Sequence, residues 1–240
     1  MNASRRDILA RFDAVLLDMN GTFMFGEDRF GPDQDYSAAY RAAGGRRLAA
    51  DLVQGTVAAC CDTLERIYSD PERFDSFPQV LDTLRAFSPE GDLPETELKL
   101  LERVIAQHEV GYVPEPYALA LRRLARTHRL GVVTNIWSRK ELYLQELTRA
   151  GVLDLFVVAV FSSDISSIKP SRKPFDEAVR KLGVPSSDVV FVGDSLRCDV
   201  GGAARAGLTT VWIDAVGGGR RLGDPQPDFV VGNLLELLHT

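Results

Sequence analysis

Residues Leu16 to Phe23, LLDMNGTF, end an apolar run in a carboxylate, Asp18, and follow it with an amide, Asn20, a glycine and a hydroxyl, Thr22. Three other places have a similar character. Thr134-Asn135 closes the apolar run that starts at Leu130, Lys169-Pro170 stands in a short polar loop, and Val189 to Val192 runs into Gly193-Asp194-Ser195, with Asp199 soon after. Brought together, these segments supply three carboxylates, a lysine, a hydroxyl and an amide. Such a set suits phosphoryl transfer, because a carboxylate that attacks phosphorus splits one hard displacement into two easier ones. Carboxylates alone repel a phosphate dianion, so a hard cation is needed, and oxygen ligands in this number favour Mg²⁺. A lysine and hydrogen-bond donors then offset the charge on the transferring oxygens.

These residues meet only if the elements around them place them at one edge. Continuously apolar runs at Phe12 to Asp18, Leu130 to Thr134, Phe156 to Phe161, Val189 to Val192 and Thr210 to Ile213 predict strands buried on both faces, as in a parallel sheet. Helical segments lie between them: Tyr117 to Arg126, a helix opened by Ser138 with Glu141 as a capping box, Phe175 to Leu182, Asp199 to Ala206, and a last one at Leu234 to Leu238 capped by Asn233. From Tyr36 to Val110 there is no strand pattern. Leu48, Leu52, Val53, Val57, Cys60, Leu64 and Ile67 recur at helical spacing, as do Leu98, Leu101 and Ile105, with turn signals at Gly44-Gly45, Asp70-Pro71, Pro78 and Pro89-Glu90-Gly91. The pattern predicts a doubly wound, Rossmann-like α/β core over residues 1–23 and 115–240, and an all-helical domain over 24–114 inserted after the first strand. Val113-Pro114-Glu115-Pro116 reads as a stiff linker between them. In open sheets of this kind ligands bind beyond the carboxyl ends of the strands, where all four segments lie.

Composition excludes other classes. With 240 residues, 45% hydrophobic and 26% charged, the chain is an ordinary globular protein, and its net charge of -6 gives no support to a nucleic-acid surface. Cys60, Cys61 and Cys198 have no disulfide or metal spacing and read as small core residues. His108, His128 and His239 show no metal-ligand spacing either. The most apolar stretch, Val152 to Phe161, is about half of a bilayer span, and MNASRRDILARFD lacks a signal-length apolar segment. The expectation is a cytoplasmic protein acting on a small molecule, without nucleic-acid or membrane partners and with its oligomeric state open. Arg41 to Arg47 reads either as a solvated helix junction or as a site for an anionic group; Asp28 and Arg29 are undecided, and Trp137 either borders the site or packs a helix.

DMNGT, VVTN, the lysine of IKPSRKPF, and FVGDSLRCD resemble, in order and spacing, the four motifs of the haloacid dehalogenase superfamily of hydrolases, most of which are phosphatases. The resemblance runs along essentially the whole chain. It implies that Asp18 is the nucleophile and a Mg²⁺ ligand, that residue 20 offers its backbone carbonyl as a second ligand, and that Asp194 binds the metal while Asp199 binds or orients it. Thr134 and the Asn135 amide would hold the phosphoryl group, Lys169 would neutralise Asp18 and the phosphate, and Thr22 would buttress the first loop. The helical block would be a mobile cap that closes over the site.

Asn20 departs from that pattern. Family phosphatases usually carry there an Asp that protonates the leaving group and activates water, neither of which a carboxamide can do. General acid or base help is worth about 10²- to 10⁴-fold, so its loss handicaps turnover without forbidding it. Three readings compete: a Mg²⁺-dependent phosphatase or phosphotransferase with an unusual second step, acting through an aspartyl phosphate; a phosphate-ligand-binding or interaction protein on the same fold; or a metal-independent hydrolase like the haloacid dehalogenases, which lack the second Asp. The pair Asp194 and Asp199 favours the first. A related carbon–phosphorus hydrolase uses a cap lysine, and the only lysine between Thr22 and Pro114 is Lys99.

Overall fold

Strand β1, Ala14–Leu17, is apolar at all four positions, and all four are buried, which requires cover on both faces of the sheet. The computed structural model, which describes residues 8–87 and 93–238, provides that cover. β1 pairs in parallel with β2 (Arg129–Thr134) on one side and β4 (Val189–Gly193) on the other, with Leu17 opposite Val132 and Val192. Outside these lie β3 (Phe156–Phe161) and β5 (Thr209–Ile213), and the sheet order is β3-β2-β1-β4-β5-β6. The reversal of direction around β1 puts the ends of β1, β2 and β4 side by side, which is where a doubly wound sheet opens its crevice.

The sixth strand, β6 (Phe229–Val231), is not among the expected ones. Three residues pairing only at an edge leave too short a pattern to detect. Four other expectations need correction. The helix α5 (Glu115–Leu124) starts inside the supposed linker, with Pro114 at its cap position and Pro116 in its first turn, where the missing N–H costs nothing. The helix α6 (Glu141–Arg149) has Lys140, not Ser138, at its N-terminus. The expected helix at Asp199 begins earlier, as a π-helical turn at Leu196–Val200 capped by Ser195, and continues as an α-helix at Gly201–Arg205. The closing helix is 3₁₀, Leu234–Leu237, with Asn233 accepting from Leu235 N as expected. The turn signal at Pro89-Glu90-Gly91, His239 and residues 1–7 lie outside the described residues.

Between β1 and β2 the chain forms α1 (Tyr36–Ala42), α2 (Ala50–Tyr68), α3 (Val80–Ala86) and α4 (Glu95–Glu109). Along α2, Val53, Val57, Cys60 and Leu64 form an apolar stripe that packs with Leu84, Leu101, Val104 and Ile105. This core is separate from the two that flank the sheet, and Ile168 is the buried residue from outside the helical segment that joins it. The segment's entry and exit run side by side: Phe25 N donates to Tyr112 O and Tyr112 N to Phe25 O, both at 2.9 Å. Arg29 ties the pair further by donating to the carbonyls of Gly26, Gln107 and Val110. Among the described residues no helix is long and apolar enough to cross a membrane.

Leu101 is fully buried in this second core. Leu101→Ala should cost ~2–5 kcal/mol, read as a lower denaturant midpoint with an unchanged m value.

Candidate active site

After β1 the chain turns tightly over the Met19 carbonyl, which accepts from the backbone N–H groups of Thr22, Phe23 and Met24. Gly21 makes that turn possible. Its φ is +73°, and a Cβ there would lie 2.4 Å from Asp194 Oδ2, so only glycine lets this loop approach the one after β4. Asp18, 7% exposed, stands at the head of the turn with its N–H held by Val192 O at 2.9 Å.

Lys169 is the centre of the site. It is 2% exposed, and its Nζ lies 2.6 Å from Asp18 Oδ1 and 2.6 Å from Asp199 Oδ1. Burial by itself would drive the ammonium pKa down, but the two carboxylates outweigh it and the net shift is upward. The loop carrying Lys169 is clamped by Asn135, whose Oδ1 accepts from Lys169 N at 2.7 Å while its Nδ2 donates to Lys169 O at 3.0 Å. Nδ2 also donates to the Tyr68 hydroxyl at 2.8 Å. The Asn135 side chain is therefore committed to holding Lys169, and phosphoryl contact from residue 135 would fall to its backbone N–H.

Asp199 accepts from Lys169 on one oxygen and from Ser195 N, at 2.9 Å, on the other. The π-helical turn brings it there, and Gly193 leaves the space: a Cβ at 193 would sit 2.4 Å from Asp199 Oδ2. Asp194 is exposed to the cleft and makes no ion pair among the described residues, and Trp212 Nε1 fixes its backbone carbonyl at 2.8 Å. One carboxylate oxygen from each of Asp18, Asp194 and Asp199 lies within 4.8 Å of the others. Three converging carboxylates with a single lysine are a donor set for a hard divalent cation. Among the described residues the buried oxygens Asn20 Oδ1, Thr22 Oγ1 and Thr134 Oγ1, close to these carboxylates in the chain's strand-end segments, have no hydrogen-bond partner, which leaves them free to accept or donate to a bound group.

Two adjoining cavities open here. The smaller, about 220 Å³, holds Asp18, Lys169, Asp194 and Asp199; the larger, about 620 Å³, is walled by α2 and by Trp137. They share Asn20, Asp28, Tyr68 and Asn135. Several residues around them carry no signal of function in the sequence. Glu109, at the end of α4, accepts from the backbone N–H groups of Trp137 and Ser138 and from the Ser138 hydroxyl, which is why Ser138 does not cap α6. Tyr68 and Glu27 are also new. Glu109 is one of three buried acids on α4, with Glu97 and Glu102, so its spacing does not single it out, and its partner lies 29 residues away.

Trp137 borders the site, stacked on Phe30 with ring centroids 5.5 Å apart. Asp28 lines both cavities and adopts a left-handed φ of 52°. Burial first, then Glu109 and Glu27, push its carboxyl up to about 7. Arg41 to Arg47 is a solvated junction, with Arg46 donating to the carbonyls of Arg41 and Gly45. Cys60, Cys61 and Cys198 are buried free thiols. Lys99 faces solvent beside Glu95.

The haloacid dehalogenase-like hydrolase family pattern matches residues 78–213, more than half of the chain, and the chain belongs to this family. The match leaves the Asp18 loop outside it. A glyceraldehyde 3-phosphate phosphatase of Methanopyrus kandleri is 35% identical over 156 residues, 60% of this chain and 64% of the relative, so the chain spans just under two thirds of that protein. The crystal structure of a HAD phosphatase from Thermococcus onnurineus superimposes with a TM-score of 0.61 at 29% identity, covering 94% of this chain and 95% of that one. A 2-haloacid dehalogenase from Pseudomonas syringae gives 0.60 at 24% identity, covering 95% and 98%, and shares the fold.

Burial also pushes Glu27, Glu109, Asp194 and Asp199 upward, with the neighbouring carboxylates adding to it at Asp194 and Lys169 opposing it at Asp199. The folded chain therefore keeps protons that the unfolded chain has lost, so stability should fall as pH rises from about 4 to about 7. The lowered carboxyls act elsewhere: Glu177, at about 2, contributes below that window. In chelator, the thermal midpoint should drop between about pH 5 and pH 7, and Asp194→Asn should flatten the slope. A midpoint that rises through this range would contradict the assignment.

Proposed function

We propose that this chain is a Mg²⁺-dependent phosphatase or phosphotransferase acting on a small phosphorylated metabolite through an aspartyl phosphate on Asp18. The observation that carries it is Lys169, buried between Asp18 and Asp199 with Asp194 beside them. Asp18, Asp194 and the backbone carbonyl of Asn20 would hold the cation. Asp199, whose two oxygens already accept from Lys169 and Ser195, would position Lys169 more than bind metal. When bound, the cation supplies charge neutralisation for the phosphate dianion.

In the first step an Asp18 carboxylate oxygen bonds to phosphorus, and the ester P–O bond breaks with its electron pair leaving on the alcohol oxygen. In the second, water attacks the acyl phosphate, releasing phosphate and restoring the Asp18 carboxylate. Lys169 and the Thr134 hydroxyl lower the charge on the transferring oxygens. Asn20 transfers no proton, so good leaving groups are favoured and the second step is slow. Residues 24–114 act as the cap; its four described helices have their own core, and movement about the paired strands at Phe25 and Tyr112 has to break the backbone hydrogen bonds of Phe77 with Ser166 and of Phe74 with Ile168.

The likeness to the Methanopyrus phosphatase supports phosphate ester chemistry over carbon–halogen cleavage, as does an acidic trio that a metal-free dehalogenase has no use for. With an aryl phosphate and Mg²⁺, Asp18→Asn should lower turnover by at least ~10³-fold and abolish trapping of an acyl phosphate. Turnover of a haloacid without metal, or labelling of the wild type that survives Asp18→Asn, would refute the reading. Asn20→Asp should raise the steady-state rate by ~10²-fold if hydrolysis of the acyl phosphate limits it.

A further inference from the structure

The larger cavity has a charge character of its own. Along α2, Gln54, Ala58, Cys61, Asp62, Glu65 and Tyr68 line the cavity beside the apolar stripe, so one helix presents its core stripe inward and an adjacent stripe to the cavity, with Cys61 at the border of both. The opposite walls are aromatic, Phe30, Tyr36 and Trp137, with Tyr68 closing the end nearest Lys169. Four carboxyl groups line the space: Glu109, which is buried, Asp28 in the loop after β1, and Asp62 and Glu65 on exposed positions of α2. Among the described residues no lysine, arginine or histidine lines it.

Three basic side chains near the cavity have partners of their own. Lys169 lies between Asp18 and Asp199, Arg29 donates to backbone carbonyls of the entry and exit strands, and Arg197 sits over the rings of Tyr68 and Phe74. A leaving group bearing a second anion would enter four carboxyl groups, opposed only in part by the Arg29 charge that acts on Asp28. A protonated amine would find carboxylates to pair with and aromatic faces to lie against.

Resting on the phosphatase reading above, we propose that the substrate is a phosphomonoester whose leaving group carries a protonated amine, and that the α2 stripe with Trp137 selects it against esters bearing a second acid. This is discrimination by repulsion as much as by attraction. The volume of about 620 Å³ accommodates a ring or short chain between phosphate and amine.

Three aryl phosphates of equal reactivity test this: tyramine phosphate, 4-ethylphenyl phosphate and 4-(phosphonooxy)phenylacetate share a ring and differ in terminal charge. With Mg²⁺ at neutral pH, kcat/KM should fall in that order, by at least ~10-fold between the first and the last. The double variant Asp62→Lys with Glu65→Lys changes exposed positions outside the apolar stripe. It should reduce that ratio by ~10-fold or more, mainly through KM. Its circular dichroism and thermal midpoint check that it folds; should it not, Asp62→Asn with Glu65→Gln serves, and the ratio should then fall toward one. Equal rates for the three esters in the wild type, faster hydrolysis of the phenylacetate, or a ratio that the substitutions leave unmoved would overturn the proposal while leaving a working phosphatase. Hydrolysis of none of the three would instead overturn the phosphatase reading, and this proposal with it.

Discussion

A lysine ammonium taken out of water is tolerated only where carboxylates repay its desolvation, and Lys169 obtains two, each at 2.6 Å. Much of the local architecture serves that arrangement. The side chain of Asn135 pins both backbone groups of Lys169, the π-helical turn after β4 swings Asp199 under it, and Gly193 vacates the volume that Asp199 fills. Removing one carboxylate would leave a buried charge half paired, which is why these residues cannot be exchanged one at a time without cost. The ion pair with Lys169 also restrains the Asp18 carboxylate, which lines the smaller cavity.

The helical insertion is attached by contacts of different physics, among them backbone hydrogen bonds from Phe77 N to Ser166 O at 2.9 Å and from Ile168 N to Phe74 O at 2.8 Å. The paired strands at Phe25 and Tyr112 are a backbone joint, local and narrow. The contacts of Glu109 with Trp137 and Ser138, and of Tyr68 with Asn135, are side-chain contacts that reach from the insertion to the ends of β2. Any motion of the helices relative to the sheet must break or carry these contacts. Trp137 and Asn135 therefore report the position of the insertion directly to the residues around Lys169.

The two cavities divide the work electrostatically. In the smaller, one lysine faces five carboxyl groups, those of Asp18, Glu27, Asp28, Asp194 and Asp199, an excess of negative charge that a divalent cation would lower before a phosphate enters. In the larger, carboxyl groups and aromatic faces line the space and, among the described residues, no basic side chain does. Asp28 stands at the boundary, belonging to both, in a backbone conformation that few non-glycine residues adopt. The amide at position 20, also on the boundary, removes one more negative charge from a crowded place, which is a physical consequence of the substitution besides the loss of a proton carrier.

Patterns of apolar residues determined the strands at β1 to β5, the helical block after β1 and the four strand-end segments, because burial on both faces and helical periodicity are local properties written in consecutive residues. Asp18, Lys169, Asp194 and Asp199 were legible because a parallel sheet gathers the residues just beyond its strands at one edge. The edge strand β6 was too short to show, and Ser138 resembles a cap but is not one, because a local motif lost to a partner 29 residues away. Tertiary structure alone decided that Asn135 serves Lys169, that Glu109 holds the Trp137 loop, and that the second stripe of α2 faces a cavity. Each depends on which distant surfaces meet, and the free energy of such contacts belongs to pairs of segments that no single stretch of sequence contains.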